Sequence, residues 1–592
     1  MQLGLCASTA GLKQLEFLLA CQELEAILVP THLLDQQRPE LLPHDELTRI
    51  WPKLNLLVGA MAAGALIRLI APLLQNKNID PAVLLISGNG ELLIPLLGGH
   101  GAGGEQQANR LAPLLQANVV ATGFSSSNGR IALDSWGLAW GWVKGLGPWD
   151  ELMKKAARSE SLEINNQNGQ ALALQQLKQQ EVESQAADLV ISAQLGFGCR
   201  WHPPVLWLGI GCERNSSLSL LQTSMENTLQ QAGLAKAAVA GLASINIKGD
   251  EPALLALAAH EQWPLRLFEA NQLAAIPVPT PSVLVEQEVG TASVAEAAAL
   301  AAAGPEAKLV QAKLIYKCSS AKAEKGAVTV AIAEAALPWA PQRGSLHLVG
   351  AGPGCIKQLT GAARSALAAS QVWVGYSLYL DLLEPLRRPD QVRLEGQLTQ
   401  ERKRCQEALA LACQGVTVAL ISSGESGMYG MAGLALEEWL QLPLENQPQF
   451  EVHPGISAFQ MAAAQLGAPL MHDLCTISLS DRLTPWPVIE NRLRAAALGD
   501  FVVALYNPRS QGRSWQLGRA LELLLEARDP TTPAAICRQL GRTDEGITLH
   551  QLAALPVDQV DMFSLLLIGN SSTKTQAGLM LTPRGYPGAE LS

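Results

Sequence analysis

The candidate binding and catalytic residues of this chain lie in glycine-rich loops behind apolar, strand-like runs. One loop in the C-terminal half reads LHLVGAGPGC, Leu346 to Cys355, with glycine at 350, 352 and 354. Spacing tests two phosphate-binding readings. A P-loop ends in Gly-Lys-Ser/Thr so that the lysine reaches the phosphates; a dinucleotide loop is G-x-G-x-x-G opening straight into a helix. Neither pattern is present. Pro353 removes one N–H donor, and the next helix is predicted to begin only near Thr360, an N-cap for GAARSALAAS. The loop lets backbone approach a ligand, but it suits an anionic one poorly.

Four further stretches repeat the arrangement: VALISSGESGMYGMAG from Val418, EVHPGISAFQMAAAQLGAPLMHD from Glu451, ALYNPRS from Ala504 and GNSSTKT from Gly569. Ligands of parallel α/β sheets sit where the carboxyl ends of strands converge. A single loop of this kind is usually an ordinary turn; several in one half point to a shared cleft. In the N-terminal half, His100 stands between glycines after ELLIPLL and before EQQANRLAPLL. A histidine there meets any bound ligand and can move protons near neutral pH. Arg68 and Glu105 could orient it or bind anionic groups. A loop histidine bonded only to backbone weighs equally on pattern alone. Gly209, Gly211, Cys212 and Arg214 form another strand-end loop. Cys212 is read first as a small packing residue, because no histidine is close in sequence. Lys248, Asp250, Glu251 and Glu288 are read as solvated groups near turns.

The elements that must position these loops follow from bulk and pattern. A chain of 592 residues holds several domains at about 100–200 residues each. Its 48% apolar and 16% charged content describes a well-buried globular protein. A net charge of -10 argues against a nucleic-acid surface. Ten cysteines without a C-x-x-C pair fit reduced thiols in a cytoplasmic protein, with neither a disulfide framework nor a zinc site. The histidines lack H-E-x-x-H spacing, so no metal ligands are expected. No basic-then-apolar signal segment opens the chain. Leu54 to Leu74 imitates a membrane span but contains Asn55, Arg68 and Pro72. Arginine at mid-span costs about 2.5–3.5 kcal/mol on insertion scales, so a buried strand followed by a buried helix is expected.

Short β-rich runs alternate with Ala/Leu-rich runs, which indicates α/β architecture. Ser293 and Glu296 read as a capping box, with Gly304 ending the helix. The domains expected are 1–145, a variable connecting region 146–204, 205–336, a linker 337–345 marked by LPWAPQRGS, and 346–592.

GAGPGC, WVGYSLYLDLL, SSGESGMYGMAG, HPGISAFQMAAAQLGAPLMHDLCTISLSDRLTPWPVIE, YNPRSQGRSWQL and TPRGY together resemble the precorrin-3B carbon-17 methyltransferases, a family of tetrapyrrole methylases in cobalamin biosynthesis. The resemblance covers Leu346 to about Tyr586. It implies a two-lobed class III methyltransferase fold with S-adenosylmethionine in the cleft between lobes. That cofactor carries a sulfonium and no phosphate, which accounts for the missing lysine. The positions implied to hold it are Gly352, Pro353, Gly354, Gly424, Glu425, Gly427, Met428, Tyr429, Ser457, Ala458 and Met471, with Tyr506 and Asn507 on the facing lobe. Cys355 and the pair Glu425–Ser426 depart from the family's usual aspartate and Asp-Pro. The substrate implied is a polycarboxylate tetrapyrrole, so Arg482, Arg509 and Arg513 are candidate carboxylate binders. A homodimer through this domain is also implied.

GIGCERNSS, LASINIKGDEPALLALA and VGTASVAEAAAL, with IAPLLQNKNIDPAV and GGH upstream, resemble the cobalt-precorrin-5A hydrolases, which open a ring lactone and release acetaldehyde. Ala102 and Glu105 depart from that pattern after His100. The resemblance implies that cobalt enters only as part of the tetrapyrrole. Lactone opening needs an activated water and oxyanion stabilisation; His100 is the candidate base, with Arg68 and loop N–H groups beside it. The expected protein is a multidomain α/β chain with a hydrolase half and a methylase half. The alternative is a methyltransferase whose N-terminal half only binds cobalt-corrinoids.

Overall fold

The computed structural model describes residues 1–587 except 36, 77–78, 100–101, 121, 123–129, 176, 178–179, 185, 318–325, 398–399, 511 and 513. His100 and Arg513 therefore lie outside the described residues.

The N-terminal sheet has seven strands in the order Leu41–Pro43, Ala26–Val29, Gln2–Cys6, Leu56–Ala60, Ala82–Ile86, Leu92–Leu97, Asn118–Val119. The first five are parallel, and Leu92–Leu97 is antiparallel to Ala82–Ile86. AILV, LLVGA and AVLLI are buried along their whole length, as strands covered on both faces must be. The span-like stretch is a buried strand, as expected, but its helix Ala63–Ile70 buries only Leu66 and Ile70 and leaves Ile67 and Leu69 exposed. No described helix is long and apolar enough to cross a membrane.

Region 146–204 differs from the connecting segment expected. Strands Gln180–Glu181, Glu163–Asn166, Leu189–Ile191 and Cys199–His202, with Val143–Lys144 at the edge, form a sheet, flanked by helix Trp149–Ala157. Buried Trp136, Trp140, Trp142, Trp149 and Trp201 fill its core, which runs on without a break into Leu346, Leu348, Ala408 and Val416 of the C-terminal half. Trp142 and Trp201 each donate their indole N–H, to Gln170 at 2.8 Å and to the Leu133 carbonyl at 3.0 Å. The strands are two to four residues long, too short for a visible alternation, and the tryptophans lie outside the glutamine-rich sequence between Lys154 and Ser184.

The next sheet orders Leu265–Phe268, Val239–Ile245, Leu206–Cys212, Ala327–Glu334, Lys308–Lys317. Helix Val294–Ala303 lies directly on its centre: a Cβ at Gly209 would come within 2.8 Å of the Ala299 nitrogen. The expected capping box does not form. The Ser293 hydroxyl makes no cap bond. Glu296 is fully buried and accepts from the Thr280 hydroxyl at 2.7 Å, the Lys313 N–H at 3.1 Å and the Thr280 N–H at 3.3 Å. Three donors from neighbouring segments outcompete one from its own helix.

The C-terminal half has two lobes. The first is all parallel, in the order Val392–Gly396, Val372–Tyr376, Thr417–Ser422, Ser345–Gly350, Gln449–His453. The second is mixed, in the order Leu474–Ser478, Val502–Tyr506, Ser564–Ile568, Pro533–Arg538, Gly546–Gln551. Thr360 caps helix Gly361–Ala369 by accepting from the Ala363 N–H at 3.1 Å, and helix Gly104–Leu115 of the N-terminal half packs against it. The segment 337–345 is irregular but tied down: Ala340 N–H donates to Cys413 at 3.0 Å, and the Gly344 carbonyl accepts from Gln449 at 3.0 Å.

Removing the Glu296 carboxylate takes the acceptor from three part-buried donors, so Glu296→Ala should cost about 1–3 kcal/mol. Ser293→Ala should change stability by less than about 0.5 kcal/mol, against ~1 kcal/mol for a working cap. Urea unfolding of the two variants checks both values; equal losses would restore the capping box.

Candidate functional site

Three strand ends of the first lobe converge. The loops after Ser345–Gly350 and Thr417–Ser422 are knitted by reciprocal bonds: Gly352 N–H donates to Gly424 at 3.0 Å and Gly424 N–H to Gly352 at 2.8 Å. Gly455, after the strand Gln449–His453, closes on the same point. A Cβ at Gly350 would lie 2.6 Å from the Gly455 nitrogen and 2.8 Å from the Gly424 oxygen. Gly352 and Gly424 also hold φ of +70° and +65°, which glycine adopts without strain. The result is a floor of bare backbone at the carboxyl edge of a parallel sheet.

The walls come from both lobes. Tyr429 holds φ +55° and Asn507 φ +52°; non-glycine residues in this region cluster at functional sites. The Tyr429 hydroxyl crosses to the second lobe and donates to the Thr476 carbonyl at 3.1 Å, with its ring 5.2 Å from that of Tyr506. The Tyr506 oxygen accepts from the Phe459 N–H at 3.2 Å. Burial pushes its phenol up to about 12 against that bond, so it stays neutral. Asn507 donates to Ser478 at 3.0 Å. Glu425 turns back on its own loop, accepting from the Gly427 N–H at 2.6 Å, and Met428 N–H donates to the Glu425 carbonyl at 3.2 Å. The Ser457 hydroxyl is taken by a capping box with Gln460; Ala458 is partly buried against the second lobe, and Met471 is exposed. Pro353 lies in the turn between Gly352 and Gly354.

Several residues here were not singled out from the sequence. Gly455 sets the floor together with Gly350, a glycine the sequence had marked. Tyr379 lines a small hollow with Gly352, Gly354, Cys355 and Ser423; burial raises its hydroxyl against the opposing charge of Arg542. Arg542 reaches in from the second lobe, its Cγ only 2.8 Å from a Cβ built on Gly354. QLGRTDEG after the strand Pro533–Arg538 carried a strand-end glycine signal. Of the arginines singled out, Arg509 donates to the Val557 carbonyl at 2.9 Å, and Arg482 is exposed.

In the N-terminal half, Gly99, Gly103 and Glu105 face an open cavity of about 270 Å³ whose other walls include Arg130, Arg388 and Asp390. Gln371 and Arg388 to Asp390 immediately precede strands Val372–Tyr376 and Val392–Gly396, so this cavity opens at the amino ends of the first-lobe sheet. The loop N–H groups of Ala102, Gly104 and Glu105 donate to Gly98 and Gly99 carbonyls at 3.2, 2.9 and 2.9 Å; they are turned away from any oxyanion. Arg68 is exposed on helix Ala63–Ile70, donates to Gly64 at 3.0 Å, and does not line the cavity. Burial pushes the Cys212 thiol up to about 11, which fits packing and not nucleophilic attack. Glu251 is not a solvated group: it is fully buried, accepts from the Asn215 N–H at 2.9 Å and sits 3.9 Å from Lys248. Asp250 pairs with Arg214.

Comparison with known proteins agrees with this division. Residues 345–556 match the model of the tetrapyrrole (corrin/porphyrin) methylases. Residues 45–126 match the cobalamin synthesis G N-terminal region, and residues 206–333 the cobalamin synthesis G C-terminus. The chain is 47% identical over 243 residues to a probable cobalt-factor III C(17)-methyltransferase of Salmonella typhimurium, covering 41% of this chain and 99% of that protein. It is 42% identical over 252 residues to a precorrin-3B C(17)-methyltransferase of Sinorhizobium sp, covering 42% of this chain and 98% of that one. The solved structure of the methyltransferase CobJ is 34% identical, covering 40% of this chain and all of that one, with a TM-score of 0.39.

Gly455→Ala has no room between the Gly350 and Gly424 carbonyls and should part the two loops. Amide exchange at Gly352 and Gly424 is expected to speed up at least about tenfold. Unchanged protection at both would contradict the convergence described.

Proposed function

The chain belongs to the tetrapyrrole methylases in its C-terminal part and carries both cobalamin synthesis G domains ahead of it, and from that premise we propose that it methylates carbon 17 of the (cobalt-)precorrin-3 macrocycle with ring contraction and hydrolyses the lactone of cobalt-precorrin-5A. The observation that carries the first activity is the glycine floor between two lobes. S-adenosylmethionine supplies an already activated methyl group, so the protein's task is binding, orientation and exclusion of water. The residues present fit that cofactor: Gly352 and Gly424 leave open the space that a side chain would fill. Tyr429 and Tyr506 wall the crevice without charge, which suits a sulfonium. Asn507, Met428 and the backbone of Gly427 complete its rim. Arg482, Arg509 and Arg542 are the proposed partners of substrate carboxylates.

For the second activity, His100 is proposed, on the sequence pattern, as the base that activates water; Glu105, five residues on, lines the junction cavity. Arg68 is given no part, because it does not face that cavity. Oxyanion stabilisation must come from groups other than the three inward-turned N–H groups.

The test uses the full chain under anaerobic conditions. Cobalt-precorrin-3 with S-adenosylmethionine should gain 14 mass units, one methyl replacing hydrogen. Cobalt-precorrin-5A should release acetaldehyde, and His100→Ala should slow that release by about 10²–10⁴ while leaving methyl transfer unchanged. Arg68→Ala should leave both within about threefold, a change under 1 kcal/mol. Binding of cobalt-precorrin-5A without acetaldehyde would reduce the N-terminal half to a corrinoid-binding module.

A further inference from the structure

One polar cluster of the first lobe takes no part in either activity. The parallel register sets His347 beside Glu451 and Val349 beside His453. Glu451 and His453 are two residues apart on one strand, so all three polar side chains face the same side of the sheet. His347 Nδ1 is 2.9 Å from His453 Nε2. Glu451 Oε2 is 3.7 Å from the first nitrogen and 3.6 Å from the second. The point equidistant from these three atoms is roughly 2.0 Å from each, the bond length of zinc to imidazole nitrogen and carboxylate oxygen.

Two of the three ligands are also held from behind. His347 Nε2 bonds the Ser345 hydroxyl at 3.2 Å, which leaves Nδ1 for the centre. Gln449 holds Glu451 Oε1, which leaves Oε2. Such outer partners fix tautomer and rotamer in metal sites. The imidazoles are 12% and 13% exposed, and Glu451 is 41% exposed, so the cluster is dry on the protein side and open on one side. We infer that His347, Glu451 and His453 bind a divalent transition metal of the zinc class, with three protein ligands and one open position. Two nitrogens and one oxygen suit Zn²⁺ or Co²⁺ and disfavour Mg²⁺ and Ca²⁺. The cation fastens the edge strand Gln449–His453 to its neighbour. It thereby holds Gly455, two residues beyond His453, against Gly350 and Gly424.

The test is calorimetric titration of the full-length, chelator-stripped protein with Zn²⁺, and with Co²⁺ followed by visible absorption. Wild type should bind one tight equivalent, show the intense bands of low-coordinate Co²⁺, and gain in Tm on saturation. Glu451→Gln changes an exposed side chain and keeps the fold. It should weaken Zn²⁺ by more than the 10–100-fold lost with an outer partner and abolish the gain in Tm. His453→Gln should remove the Co²⁺ bands. Absence of saturable binding in wild type would overturn the assignment, as would binding unchanged in both variants, which would put the metal on thiols elsewhere.

Discussion

The C-terminal half depends on one steric constraint: three backbone segments meet where no side chain fits. Gly350, Gly424 and Gly455 stand at the ends of three neighbouring parallel strands, and a Cβ on Gly350 or Gly455 would strike a carbonyl or amide of the adjoining loops. This closeness lets Gly352 and Gly424 exchange hydrogen bonds across the loops, and that pairing in turn orients the rest of the rim. Tyr429, forced to positive φ by the same tight loop, is aimed at Thr476 of the other lobe. The cleft is thus a consequence of backbone packing, and its walls are added to it.

The two candidate sites lie at opposite ends of the same sheet. Strand Val372–Tyr376 illustrates this. Gln371, just before it, lines the junction cavity, while Tyr376, at its far end, meets Tyr379 edge to face beside the glycine loop. Five residues separate the ends, about 17 Å of strand. Anything passing from one site to the other therefore goes around the sheet and not through it. The tryptophan-rich layer of 136–202 shares one hydrophobic core with the first lobe, and helix Gly104–Leu115 packs on helix Gly361–Ala369. The junction cavity has walls from both halves for that reason.

The sequence made legible what is local. Strand runs such as AVLLI, the Thr360 cap and the glycine loops all carry short-range signals, and they appear where the pattern put them. What it hid depends on partners distant in the chain. Glu296 has the spacing of a capping box, yet Thr280 and Lys313 claim its carboxylate. Glu251 looks like a solvated turn residue, yet the Asn215 N–H holds it in the core. Arg542 is one arginine among many until the second lobe folds it onto Gly354. The His347–Glu451–His453 cluster escapes spacing rules because its ligands come from two strands a hundred residues apart, paired only by sheet register.

The most direct measurement is an experimental structure of the full chain with S-adenosylhomocysteine at saturating concentration. The ligand is expected between the lobes, against Gly352–Gly354 and Gly424–Tyr429 on one side and Tyr506–Asn507 on the other. A ligand seated at the amino ends of the strands, in the cavity beside Glu105 and Arg388, would contradict it, as would a crevice left empty by a ligand that binds elsewhere on the chain.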